Sequence, residues 1–229
     1  MNKLIAMLCV WNEADKFLKE CLFSLNSFVD KIVILDDGST DTTVEICQLF
    51  PKVVLYRLEK NLGQIDESKS RKMLFDFALK QEPDWILAPD ADEIFEDRFI
   101  REVRKLMKQP VNWFSFHRID FWTMDKYFAD LQPSMCSMRL MFRNLPGKSK
   151  SYLSMKIHGP RTPAWIFRDD NKNGISTDFR IKHYGFIKKE SRIRRIEWNE
   201  KYNVSWYLKT IYQLEKDSPE KLTQWSERI

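Results

Sequence analysis

Apolar residues recur along the first half of this chain in two alternating rhythms. Lys3–Val10 is an apolar run that predicts a buried strand. In Ala14–Phe28 the apolar positions are Phe17, Leu18, Cys21, Leu22, Leu25 and Phe28, the stripe of an amphipathic helix. Ile32–Leu35 is again continuous, as in a strand covered on both faces. Thr43–Phe50 predicts a short helix stopped by Pro51, with Thr42 and Glu45 spaced as a capping box. Val53–Leu58 is a third strand and Ile65–Lys80 a long helix. Asp84–Ala88, helical Arg98–Met107 and the strand Asn112–Ile119 complete the series. Such alternation predicts an α/β fold with a mostly parallel sheet and right-handed crossovers.

Beyond residue 120 the rhythm weakens. Ser137–Arg143 and Thr177–Tyr184 read as strands, separated by the turn-forming stretch Asp169–Gly174. Lys189–Glu215 predicts a charged helix that interleaves Trp198, Tyr202 and Trp206. At 229 residues the chain reads as one domain with an extension. Its longest uncharged stretch, about nine residues, is far short of the roughly 20 that span a bilayer, and Met1–Val10 carries no signal-peptide pattern.

Glycine is scarce. The six glycines are never closer than eleven residues, which excludes both a P-loop and a dinucleotide fingerprint. None of the four cysteines forms a C-x-x-C pair; Cys21 and Cys47 read as buried thiols and the expected compartment is the cytoplasm. Charge is divided unevenly. Residues 1–110 hold 16 Lys+Arg and 20 Asp+Glu, net −4; residues 111–229 are net +9, which points to an anionic partner.

Polar residues gather where the strands end: Asn12 and Glu13, then Asp36 and Asp37, then Asp90-Ala91-Asp92. In open parallel sheets ligands sit outside those carboxyl ends. Two carboxylates at i and i+2 on an extended segment point the same way and repel, so a hard cation such as Mg²⁺ or Mn²⁺ suits them. The other reading of the triplet is a solvated turn or helix cap.

Val10-Trp-Asn-Glu13, the run from Phe28 through Asp36-Asp-Gly-Ser-Thr-Asp41, Asn61-Leu-Gly-Gln64 with Arg71, and Asp84–Glu93 together resemble the family 2 glycosyltransferases. Met138–Arg143 and His183-Tyr-Gly185 extend the resemblance. It implies a GT-A-type, Rossmann-like fold and transfer of a sugar from a nucleotide-diphospho-sugar donor to an acceptor hydroxyl, with inversion, in glycan or polysaccharide biosynthesis. It also implies that Asn12, Glu13, Asp36 and Asp37 hold the nucleoside. Arg71 is then placed near the phosphates, and Asp90 and Asp92, joined by His183, hold a divalent cation, Mn²⁺ or Mg²⁺. A carboxylate that many members carry after the histidine of Ile157-His158 is Gly159 here. The general base is therefore sought among Asp120, Asp125 and Asp130, with Asp125 the choice.

The expected organisation is a donor-binding half over 1–110, an acceptor side over 111–187 and a basic helical extension over 188–229. That extension reads as a solvated helix, as a contact for anionic lipid at the inner face of the membrane, or as a site for an anionic polysaccharide or protein. The acceptor is a glycan, a lipid-linked sugar or a protein, nucleic acid is not expected, and a second subunit would complete a small acceptor site. Two other functions stay open. A sugar-phosphate nucleotidyltransferase is disfavoured because Met1–Asp15 contains no glycine. A non-catalytic nucleotide-sugar-binding module is kept alive by Gly159.

Overall fold

A computed structural model describes residues 2–129, 137–154, 160–168, 173–193, 197 and 222–227. The elements follow in the order β1 (Leu4–Val10), α1 (Leu18–Phe28), β2 (Lys31–Asp36), α2 (Thr43–Gln48), β3 (Val53–Arg57), α3 (Gly63–Leu79), β4 (Trp85–Leu87) and β5 (Glu93–Phe95). Then come α4 (Asp97–Leu106), β6 (Trp113–Asp120), β7 (Lys126–Phe128), β8 (Ser137–Arg143), α5 (Ala164–Arg168), β9 (Gly174–His183) and β10 (Leu222–Gln224).

Eight strands form one mixed sheet in the order β3-β2-β1-β4-β8-β6-β9-β5. The block β3-β2-β1-β4 is parallel, as the alternation requires. From β4 onward the pairing mixes: β8 runs antiparallel to β4 and β6, β9 is parallel to β6, and β5 closes antiparallel on β9.

The unbroken apolar runs of β1 and β2 are explained by two cores, one on each face. Leu4, Ala6, Leu8, Ile32 and Ile34 pack with Leu18, Cys21, Leu22 and Leu25 of α1 and with Phe99 and Val103 of α4. Ile5, Met7, Val33 and Leu35 point the other way, against Leu74, Phe75 and Ala78 of α3. Odd and even positions divide between the layers because strand side chains alternate. Cys21 and Cys47 are buried free thiols.

Two local readings need correction. Thr42 makes no side-chain cap for α2; Asp41 does that work, accepting from the Thr43 N–H (3.0 Å) and Thr43 hydroxyl (2.5 Å). Strand β5, only three residues long, follows the Asp90–Asp92 turn directly, so the triplet does not cap a helix, the alternative reading given above.

A second, two-stranded sheet pairs β10 with β7. Trp225, just after β10, lies against Phe121 (ring centroids 5.3 Å) and beneath the Arg180 guanidinium (3.9 Å). Arg180 is held by buried Glu96 at 2.8 Å. Among the described residues, no helix is long and apolar enough to cross a membrane. The predicted helix Lys189–Glu215 is helical over 189–193; Arg194, Arg195, Trp198, Tyr202 and Trp206 lie outside the described residues, as do Asp130, His158 and Gly159.

Candidate active site

The carboxyl ends of β1 and β2 are tied together by their own polar side chains. Asn12 takes a left-handed backbone (φ 50°), which asparagine tolerates better than most residues. Its N–H donates to Ser39 Oγ (2.9 Å) and its Oδ1 accepts from the Thr40 N–H (2.8 Å). The Glu13 N–H donates to Thr43 Oγ1 (2.8 Å). Asp36 is buried, accepts from the Ser39 N–H (3.1 Å) and faces Arg57 Nε at 3.2 Å. Asp37, also buried, accepts from the N–H groups of Leu62 and Gly63 (both 2.7 Å) and from Ser70 Oγ (3.1 Å). Gly38 has φ 80°, and a Cβ there would meet the Lys60 carbonyl carbon at 2.9 Å, so only glycine fits the turn. These four polar residues therefore tie together the loops that follow β1 and β2.

The end of β4 carries the charged cluster. The segment at Asp90–Asp92 is a turn rather than an extended strand, with the Glu93 N–H donating to the Asp90 carbonyl (3.2 Å). The two carboxylates thus face different partners. Asp90 is gripped on one oxygen by Arg71 Nη2 (3.1 Å) and on the other by Arg161 Nη1 (3.2 Å). Burial works to raise the Asp90 pKa, and the guanidiniums of Arg161 and Arg71 outweigh it, holding the carboxyl below its usual range. Arg161 is itself buried and pairs with both oxygens of buried Glu93. Glu93 Oε2 also accepts from the Asp90 N–H (3.0 Å).

Asp92 faces His183, with Oδ2 3.4 Å from Nε2. Sheet register brings them together across some ninety residues. β9 runs between β5 and β6, so His183 lies opposite Glu93 on one side and Asp120 on the other. Asp120 Oδ1 is 2.6 Å from His183 Nδ1. Burial would lower the pKa of this imidazole, but Asp92 and Asp120 prevail and push it up to about 9. Glu13 is pushed up to about 7, chiefly by burial, with Lys16 opposing and Asp92 and Asp90 adding to the rise.

The fit to a divalent cation can be judged from the donors. Two atoms bound at the roughly 2.1 Å of Mg²⁺, at right angles, stand about 3 Å apart. Asp92 Oδ2 and His183 Nε2 are already near that separation, and the other ring nitrogen of His183 is held by a carboxylate, as in many metal-binding histidines. Among the described residues no three His, Cys, Asp or Glu groups form a ready-made cage. An ion that shares its coordination with phosphate oxygens and water takes few protein donors. The residues present fit such an ion.

Asp125 is placed differently. It lies exposed on the turn before β7, accepting from Thr123 Oγ1 (2.9 Å) and Gln224 Nε2 (3.1 Å). Those hydrogen bonds hold its pKa below the ordinary value, which weakens it as a base.

This architecture defines the class: the mixed sheet flanked by helices, with an acidic turn at the end of β4, is the GT-A fold of nucleotide-diphospho-sugar transferases. A mannosyltransferase of Pyrobaculum calidifontis, in a structure with GDP-Man and Mn²⁺, shares it with a TM-score of 0.56 at 13% identity, over 96% of this chain and 66% of that one. The chain belongs to glycosyl transferase family 2, whose model matches residues 6–191. An uncharacterized protein of Mycobacterium tuberculosis is 30% identical over 205 residues, which are 85% of this chain and 49% of that protein. The glycosyltransferase SunS of Bacillus subtilis is 27% identical over 188 residues, 81% of this chain and 40% of SunS. The chain thus spans about half the length, or less, of the curated relatives it matches.

Sequence reasoning missed Glu93 as a partner and Arg161 altogether. Arg161 meets Glu93 across 68 residues of sequence, and nothing in its Pro160-Arg-Thr-Pro163 surroundings announces the pair.

Proposed function

We propose that this chain is a glycosyltransferase that uses a nucleotide-diphospho-sugar donor and a divalent cation, Mn²⁺ or Mg²⁺. The observation that carries the reading is the junction of Asp92 with His183 beside Asp90, at the carboxyl end of β4 in a GT-A sheet. Asp92 and His183 would hold the ion, with Asp90 alongside. Bound there, it supplies Lewis-acid stabilisation of the departing nucleoside diphosphate. Asn12, Glu13, Asp36 and Asp37 frame the nucleoside end of the cleft. Arg71, drawn toward Asp90, contributes positive charge where the diphosphate would lie.

In the reaction the acceptor oxygen bonds to the anomeric carbon. The bond from that carbon to the diphosphate oxygen breaks, its electron pair leaves with the nucleoside diphosphate, and the hydroxyl proton passes to a base. Family membership supports inversion at the anomeric carbon. Residues 1–110 form the donor half and 111–187 the acceptor side, although His183 reaches across that division into the donor site. The acceptor is a glycan, a lipid-linked sugar or a protein. A cytoplasmic location, with the basic 188–229 region touching the membrane, accords with the charge distribution.

Calorimetric titration with UDP, GDP and dTDP is expected to show one nucleotide binding only when Mn²⁺ is present. Equal affinity after EDTA treatment would remove the cation from this account.

Asp125→Asn tests the base. An essential base contributes roughly 10²–10⁴-fold. The exposed position of Asp125 and its hydrogen bonds within the turn lead us to expect a change in kcat well below that range. A hundredfold fall would restore Asp125 to the reaction.

A further inference from the structure

Asp120 has a role that follows from register and hydrogen bonding. It is the last residue of β6, and its neighbour across the parallel pairing with β9 is His183. Its Oδ1 lies 2.6 Å from His183 Nδ1, while Nε2 of the same ring faces Asp92 at 3.4 Å. Arg118 Nε, two residues back on β6, stands 3.0 Å from the same Asp120 oxygen. The side chains of His183 and Asp120 are 5% and 17% exposed, so neither is free to reorient in solvent.

An imidazole can swing about its χ angles and can carry its single proton on either nitrogen. A carboxylate fixed at Nδ1 removes both freedoms: it keeps an N–H at Nδ1, so that the proton given up to a cation is the one on Nε2. Asp120 is held in turn by Arg118. The ordered series Arg118–Asp120–His183–Asp92 therefore ends with a ring nitrogen aimed at a carboxylate, the arrangement that a shared cation needs.

We propose that Asp120 is a positioning residue, setting the orientation and tautomer of His183 so that Nε2 joins Asp92 in holding the cation, and that it is not the base for the acceptor hydroxyl. This rests on the cation-dependent reading given above. Two of its partners are already committed: Oδ1 serves both His183 and Arg118. An oxygen already within hydrogen-bonding reach of two nitrogens is spent on holding the ring in place.

The test measures Mn²⁺ affinity directly, through the free-Mn²⁺ electron paramagnetic resonance signal, at one pH and with a saturating nucleoside diphosphate. Wild type, D120A, D120N, H183A and the D120A/H183A double variant are compared, each checked for folding by thermal melting. D120A is expected to weaken Mn²⁺ binding about 10–100-fold. D120N keeps an acceptor oxygen without its charge and should fall between wild type and D120A. Because Asp120 acts through His183, D120A should add nothing in the H183A background. Should D120A fail to fold, D120N alone and in the H183A background makes the same comparison.

Additive losses in the double variant overturn the proposal. So does turnover lost with Mn²⁺ affinity unchanged, since that would assign Asp120 to proton abstraction. Absence of Mn²⁺ binding by the wild type would instead strike the cation-dependent reading itself.

Discussion

Replacing Asp92 by alanine is expected to lower sugar transfer by about a thousandfold or more while the fold survives. Lewis-acid stabilisation of a leaving diphosphate supplies several kcal/mol, and each 1.36 kcal/mol is a factor of ten in rate. The structural cost is small by comparison. The Asp92 side chain is partly exposed, and the backbone contact it anchors, the Tyr184 N–H to the Asp92 carbonyl at 2.9 Å, is kept by alanine. His183 keeps its bond to Asp120. A loss of about 1 kcal/mol moves Tm by only about 2–4 °C in a chain this size. Turnover read by released nucleoside diphosphate, beside a thermal melt, checks both halves. Near-normal turnover would place the cation elsewhere.

The second large effect is on stability. Glu93→Ala and Arg161→Ala should each cost about 3–5 kcal/mol, because Arg161→Ala leaves Glu93 buried without its counter-charge, and Glu93→Ala leaves buried Arg161 with only Asp90 to balance it. Glu93 and Arg161 are both buried and meet in a two-point contact at the junction of β4, β5 and the segment before α5. Glu93→Ala also removes the acceptor for the Asp90 N–H. The double replacement Glu93→Leu with Arg161→Met removes both charges, and should be less destabilised than either single variant. Urea unfolding of the three proteins decides it; a single-variant loss below about 1 kcal/mol would mean that water reaches the pair.

The parallel block was legible because β1, β2 and β4 are buried apolar runs and β3, at the edge, a half-buried one, with helices between them whose stripes recur every three to four residues. β1 and α1 could be read almost to the residue at their carboxyl ends. Strands β5, β7 and β10 were not, being three residues each and too short to show any period. Among site residues, those at or just after strand ends announced themselves by position: Asn12, Asp36, Asp90. The partnerships did not. Asp90 was expected to share a face with Asp92, yet the turn between them sends one toward two arginines and the other toward a histidine. Local sequence reports which residues lie at a strand end; only the register of β5, β6 and β9 decides which of them meet.

The pairing of β10 with β7 has a temporal consequence. Gln224 bonds Asp125 across 99 residues, and the Trp225 N–H donates to the Asp125 carbonyl at 2.8 Å. During synthesis, at roughly 5–20 residues per second, the hairpin at 121–128 leaves the ribosome several seconds before its partner strand does. Through that interval the edge of β7 and the faces of Phe121 and Tyr127 stand uncovered. The nascent chain therefore passes through a stage in which most of the eight-stranded sheet can be formed while β7, in its separate sheet, remains open to a chaperone, or to the wrong strand.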